Sequence, residues 1–198
     1  MTPRYTNAIH FASTVHEGQK RKGTSIPYIV HPVAVAALVA EYGGDEDQQI
    51  AALLHDVLED GGPHHAQDIY EKFGRRVLSI VQVCTDGVPD KDGIKPPWEK
   101  RKKEYLGHLA EASEDALLVS GCDKLSNAQA ILGDLEKVGQ CVFDRFTAKR
   151  EGTIWYYNEL SDIFFKRGTP IATALKETVD RITNFPTIDP ARVIHEAA

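Results

Sequence analysis

At 198 residues the chain is expected to fold as one domain, and a chain of that length buries about 70% of its unfolded surface, enough to hold together without disulfides or a structural metal. Its composition, 42% hydrophobic and 26% charged, is that of a globular protein and excludes a disordered or fibrous one. The net charge of −6 argues against a general nucleic-acid binder. It does not exclude an anionic small molecule, because the basic runs Lys20-Arg21-Lys22 and Lys100-Arg101-Lys102-Lys103 can act locally, or can simply face solvent.

The apolar pattern predicts helices nearly throughout. Ile9, Ala12 and Val15 mark a first helix, and the Gly- and Pro-containing stretch Gly18–Tyr28 reads as a basic loop. Pro32 suits a first helical turn, so Val33–Tyr42 is expected to follow it and to stop at Gly43-Gly44. Asp45 or Asp47 can cap the next helix, which carries Ile50, Leu53, Leu54, Val57 and Leu58 as far as Gly61-Gly62-Pro63. Two short helices, Ala66–Phe73 and Arg75–Cys84, meet at Gly74, and Thr85–Pro97 reads as a loop. A charged helix over Trp98–Ala112 and a long one over Ser113–Val138 come next. Gly139–Gly152 is ambiguous, and helices over Thr153–Phe165 and Pro170–Asn184 complete the chain. No run alternates as a strand would, and there is no internal repeat, so the expected fold is all-α, a bundle of roughly eight to ten helices. It is read as a single domain over 1–198, with 153–198 as a helical extension of it.

Cys84, Cys122 and Cys141 are odd in number and form no CxxC pair, which suggests a reducing compartment without disulfides. Residues 1–18 lack the apolar core of a signal peptide, and no stretch approaches the ~18 apolar residues of a membrane span. The expectation is a cytoplasmic protein with no membrane partner; oligomeric state is not legible.

Chemistry concentrates at His55-Asp56-Val57-Leu58-Glu59-Asp60. The apolar residues before it predict a buried helix, and a buried charge costs several kcal/mol unless it is paired or metal-bound. On a regular helix His55 and Glu59, and Asp56 and Asp60, would be i,i+4 neighbours, giving one patch of an imidazole and three carboxylates. The competing reading is an exposed acidic helix end, which would oppose the helix dipole. His31 alone reads as readily as a surface or cap residue. Asp123 is a poor residue for the middle of a helix, and a salt bridge to lysine is its plain explanation. Taken together, His31, His55, Asp56 and Asp123 offer two nitrogens and two oxygens, a set suited to Mn²⁺, Fe²⁺ or Zn²⁺.

In that order these four residues resemble the metal pattern of the HD superfamily. The run His16-Glu17-Gly18-Gln19-Lys20-Arg21-Lys22-Gly23, then Pro27-Tyr28-Ile29-Val30-His31-Pro32, looks like the hydrolase domain of RelA/SpoT-type alarmone enzymes. So do Ala51–Asp60, Phe73-Gly74, Val83–Asp86 and Cys122–Asn127. The remaining length is expected to hold no synthetase domain, so the resemblance is to stand-alone small alarmone hydrolases.

That resemblance implies a Mn²⁺-dependent enzyme, with Fe²⁺ or Zn²⁺ as alternatives, that removes the 3′-pyrophosphate from (p)ppGpp, a small-molecule nucleotide. It implies His31, His55, Asp56 and Asp123 as metal ligands and Glu59 and Asp60 as the pair that handles the attacking water. It implies Arg21 and Lys22 against the base, Asn127 facing the ribose, and Lys95, Arg101 and Arg150 as phosphate contacts. Two positions depart from the family pattern Ala-Asp-Arg-Leu-His-Asn, where this chain has Lys124 and Ser126. Lysine keeps the charge but loses the bidentate fork. Adenosine counterparts, the 2′-phosphate of NADPH, another nucleotide, and alarmone binding without cleavage remain as alternatives.

Overall fold

The computed structural model describes residues 2–87 and 95–186. Among them every regular element is helical apart from one bridge pairing of Lys20 with Pro27, as expected for an all-α chain. The α-helices are α1 (Pro3–Val15), α2 (Val30–Glu41), α3 (Glu46–Leu54), α4 (His65–Phe73), α5 (Arg75–Cys84), α6 (Trp98–Ala110), α7 (Glu114–Val138), α8 (Lys149–Lys166) and α9 (Ala172–Thr183). Parts of the Thr85–Pro97 loop and of the 153–198 extension, residues 88–94 and 187–198, lie outside the described residues.

Local chemistry sets most helix ends. Asp45 caps α3 through a capping box, its side chain accepting from the Gln48 backbone while the Gln48 side chain accepts from the Asp45 N–H. Ser113 caps α7 in the same sense, accepting from Ala116 N–H. α2 begins at Val30 rather than Val33. Pro32 falls within the first turn, where a missing N–H leaves no intrahelical bond unmade, so the helix extends back through His31. The ambiguous segment folds as a 3₁₀ stretch over Gly139–Arg145, and α8 then starts at Lys149, ahead of the expected Thr153.

The main departure from the expected pattern follows α3. The α-helix stops at Leu54, and after His55 and Asp56 the chain widens into a π-helical turn over Val57–Gly61. Val57 and Leu58 remain in the core. Gly61 packs so closely on α1 that a Cβ there would meet Val15 Cγ1 at 2.4 Å, and Gly62 leaves the turn at φ +111°, where L side chains are rarely found. The wider turn breaks the i,i+4 stacking expected of His55/Glu59 and Asp56/Asp60, so their side chains part to different neighbours.

α7 runs through the middle of the core and packs against α2, α3, α5, α8 and α9. From Ala116 to Leu125 every residue is buried, Ser120, Asp123 and Lys124 included. α8 and α9 add Leu160, Phe164, Leu175 and Val179 to the same core. At the surface Arg76 bonds both Asp45 and Asp115, holding the α3 and α7 starts beside α5, but these exposed pairs each contribute about 1 kcal/mol or less. No helix among the described residues is long and apolar enough to cross a membrane.

Gly121 lets α7 approach its neighbours closely in this core. A Cβ there would lie 2.5 Å from Ile171 Cγ1 and 3.3 Å from Phe164 Cε1, and both side chains are fully buried. Gly121→Val is therefore expected to destabilise the protein by about 1–3 kcal/mol through overpacking, read as a lower midpoint in urea denaturation at unchanged slope.

Candidate metal centre and its cleft

Three buried donors converge from three segments. His31 enters from the first turn of α2, His55 from the end of α3 and Asp123 from mid-α7, and their donor atoms all lie within 4.8 Å of one another. His31 Nε2 is 3.0 Å from Asp123 Oδ1, and His55 Nε2 is 3.5 Å from the same oxygen. Asp56 stands beside them, its Oδ2 2.9 Å from His55 Nε2 and 3.8 Å from His31 Nε2.

The tautomer of His55 is fixed by its surroundings. Its Nδ1 lies 2.7 Å from the Ala52 carbonyl, which can only accept, so Nδ1 carries the proton and Nε2 is left with its lone pair toward the carboxylates. Nε2 is buried and has no aligned hydrogen-bond partner among the described residues. A lone pair facing two carboxylates needs a positive centre between them, which a proton on Nε2 or a metal ion can supply. Burial alone would disfavour a charged His55, yet Asp56 and Asp123 raise its pKa well above the usual imidazole value. His31 goes the other way: burial lowers it, against the pull of Asp123. Both carboxylates are held well below the usual range despite burial, Asp56 by His55 and Asp123 by Lys124 and the two histidines. Two imidazoles, one with an orphaned nitrogen, and two ionised carboxylates fit a divalent cation.

Neighbours orient these donors. Tyr28 donates its hydroxyl to Asp56 Oδ2 at 2.6 Å, Asn127 donates to Asp123 Oδ1 at 2.6 Å, and Lys124 donates to Asp123 Oδ2 at 2.7 Å. Ser126 Oγ sits 3.4 Å from His31 Nδ1. The two positions that depart from the family pattern thus both touch the donor set. Lys124 does give Asp123 its plain salt bridge, but it neutralises only one of the two oxygens.

Glu59 and Asp60 diverge after the π turn. Glu59 accepts from Lys95 Nζ at 2.8 Å and from Asp86 N–H at 3.2 Å, whereas Asp60 accepts from Gln19 at 2.8 Å. Burial and the nearby Asp56 charge raise the Glu59 carboxyl above its usual value, and Lys95 acts against them. The expected single patch of one imidazole and three carboxylates is therefore corrected to a donor cluster with two carboxylates on separate tethers.

His31 and Lys124 also form the inner end of a cleft of about 690 Å³, which Arg21, Lys22 and Asn127 line as well. Arg21 donates to Asn127 Oδ1 at 2.8 Å and lies over the Tyr28 ring, so the basic loop connects directly to the donor set. None of the three expected phosphate contacts is among the residues that line this cleft. Arg150 bonds Gln140 and the Thr183 carbonyl, bracing α8 against the 3₁₀ stretch and the end of α9. Arg101 bonds the Asp86 and Pro96 carbonyls, and Lys95 is taken up by Glu59.

Lys102 reaches the cleft instead. It pairs with buried Asp86, lies over the Tyr156 ring at 4.6 Å, and has its pKa lowered by burial and by Lys124. Its signal was present in the sequence: Lys102 shares a helical face with Tyr105, Leu106 and Leu109, all buried, so it points inward rather than with the solvated part of its basic run. Tyr28, Gln19 and Asp86 could not be found by periodicity, because they act from loop positions.

The chain is 35% identical over 185 residues to a guanosine-3′,5′-bis(diphosphate) 3′-pyrophosphohydrolase of Aquifex aeolicus, an alignment covering 90% of this chain and 25% of that protein. It thus spans about a quarter of the length of the long relatives it matches. It is 32% identical over 145 residues to the guanosine-3′,5′-bis(diphosphate) 3′-pyrophosphohydrolase MESH1 of Danio rerio, covering 72% of this chain and 73% of that one. A solved structure of a metazoan orthologue of SpoT, described as hydrolysing ppGpp with a role in starvation responses, superposes with a TM-score of 0.73 at 26% identity, over 91% of this chain and 96% of the other. Residues 8–154, from α1 into α8, match the HD domain, and the chain belongs to the HD-domain family.

Proposed function

We propose that this chain is a metal-dependent phosphohydrolase that removes the 3′-pyrophosphate from (p)ppGpp, giving GDP or GTP and pyrophosphate. The observation that carries the reading is the buried cluster of His31, His55 and Asp123 with the orphaned His55 nitrogen, set at the end of a cleft lined by basic residues. The names of its relatives, guanosine-3′,5′-bis(diphosphate) 3′-pyrophosphohydrolases, support the substrate class. The net charge of −6 supports a small nucleotide rather than a nucleic acid as partner. The three free cysteines suit a reducing, cytoplasmic setting.

In this reading His31, His55, Asp56 and Asp123 hold the ion, with Mn²⁺ as the assignment and Fe²⁺ or Zn²⁺ compatible with the same donors. When bound, such an ion makes water a better nucleophile near neutral pH and offsets phosphate charge. Glu59, raised by burial, accepts the proton of the attacking water, and Asp60, tethered by Gln19, assists in orienting it. Attack is at the phosphorus attached to the ribose 3′ oxygen. The bond from phosphorus to that oxygen breaks, and the oxygen leaves as the ribose hydroxyl by taking up the proton that the attacking water gave to Glu59. Lys124 and Lys102 supply positive charge at that end of the cleft, where most phosphoryl-transfer catalysis resides. Asn127 faces the ribose, and Arg21 and Lys22 flank the base.

Purified protein with Mn²⁺ should release pyrophosphate from ppGpp, lose that activity on chelation and regain it when Mn²⁺ is returned. Asp56→Ala should abolish turnover, and Glu59→Ala should lower kcat by about 10²- to 10⁴-fold. Wild-type inactivity toward ppGpp, ppApp and NADPH alike would sink the proposal.

A pH profile tests the Glu59 assignment. A general base must be deprotonated, so kcat/KM should fall as pH drops through the Glu59 pKa. Lys95 lowers that pKa, so Lys95→Met should move the acid limb to higher pH, while Glu59→Gln should remove the limb. An acid limb that stays in place in both variants assigns the base elsewhere.

A further inference from the structure

The end of the cleft away from the donor cluster has its own polar device. α7 acts as a ruler along the cleft: Asp123, Asn127 and Asp134 fall within about 40° of one another around the helix, and Asp134 lies about 16 Å further along the axis than Asp123. An extended nucleotide is shorter than that rise from its 3′-phosphate to its base edge, and a contact at each end makes up the difference. Asp134 and Arg145 both line the cleft there, beside the apolar side chains of Ile131, Val142 and Phe146. Arg145 Nη1 donates to Asp134 Oδ2 at 2.5 Å, and both side chains are about a quarter exposed (23% and 29%). This is the one hydrogen bond to the Asp134 carboxylate among the described residues, and it uses one oxygen.

The basic loop closes on the same pair. At Gly23, which has φ +73°, an added Cβ would come within 2.6 Å of Arg145 Cδ, so the loop that carries Arg21 and Lys22 passes directly against the Arg145 stem. A flat ring entering between that loop and the apolar wall therefore meets the Asp134–Arg145 pair with its edge.

We propose that Asp134 and Arg145 read the Watson–Crick edge of the base and select guanine over adenine; the inference rests on the nucleotide-hydrolase reading and deepens it. The guanine edge presents, in order, the 2-amino donor, the N1–H donor and the O6 acceptor. The pair presents the matching series: Asp134 Oδ1, Asp134 Oδ2 and an Arg145 N–H. A carboxylate oxygen has two lone pairs, so Oδ2 can keep Arg145 while accepting N1–H. Adenine has the reverse polarity, with an acceptor at N1 facing a carboxylate and a 6-amino donor facing a guanidinium. Specificity then comes from leaving the half-buried carboxylate and guanidinium mispaired with the wrong base, a polar contrast that discriminates more strongly than shape alone.

The test is titration calorimetry of the metal-free protein with GDP and with ADP. Wild type should prefer GDP, and Asp134→Asn, which turns one acceptor into a donor, should reduce the GDP:ADP affinity ratio by roughly tenfold to a hundredfold by weakening GDP while ADP binding is kept or strengthened. Arg145→Met should also reduce the ratio and stands in if Asp134→Asn does not fold. If the pair only braces α7 against the 3₁₀ stretch, both nucleotides weaken together and the proposal is overturned. Equal wild-type affinity for the two, or no binding of either, overturns it as well. Hydrolysis is scored separately: GDP preference that depends on Asp134, in a protein that releases no pyrophosphate from ppGpp with Mn²⁺, leaves the base site standing and removes the proposed reaction.

Discussion

The charge on Asp123 is the constraint around which the rest is arranged. It sits in the most buried stretch of α7, where an unpaired carboxylate would cost several kcal/mol, and the fold surrounds it with His31, His55, Lys124 and Asn127. Each partner comes from a separate decision of the chain. α2 starts early enough to carry His31, α3 ends early enough to release His55, and α7 itself supplies Lys124 and Asn127. Burial keeps the site dry and strengthens each of these attractions, but it also makes the centre intolerant of losing any one of them.

The sequence showed the donor set because its information is local and ordered. His31 precedes a helix-starting proline, His55-Asp56 follows an apolar run, and Asp123 is an unfavourable residue in mid-helix. All four side chains meet in the structure. The all-α class was legible for the same reason, since helical periodicity persists nearly end to end. What periodicity could not convey was the change of period after Leu54. Extending a 3.6-residue repeat through Glu59 and Asp60 places four side chains on one patch, whereas the π turn sends two of them to Lys95 and Gln19. The placement of Arg150 was not legible for a related reason: its direction depends on the 3₁₀ stretch before α8, which has no apolar rhythm to read. Lys102 was hidden by its neighbours in a basic run, although its helical phase matches buried Tyr105.

The cleft is graded along its length. Its inner end holds histidines, carboxylates and the Lys102 and Lys124 ammonium groups above tyrosine rings, a dry region of fixed charge suited to phosphate chemistry. Its outer end is apolar with one ion pair, suited to holding a ring by its face and edge. α7 spans both ends, so the register of one helix sets how far the donor cluster lies from the outer ion pair.

The π turn also separates two kinds of change that a regular helix would couple. The donor set is anchored in the core, while Glu59 is held by Asp86 and Lys95 and Asp60 by Gln19. Substitutions at those partners can alter the surroundings of the two carboxylates without disturbing the donor set or the packing beneath it. An ancestral scaffold of this build could therefore drift among related phosphate esters by loop replacement alone, with the stability of the bundle insulated from the search.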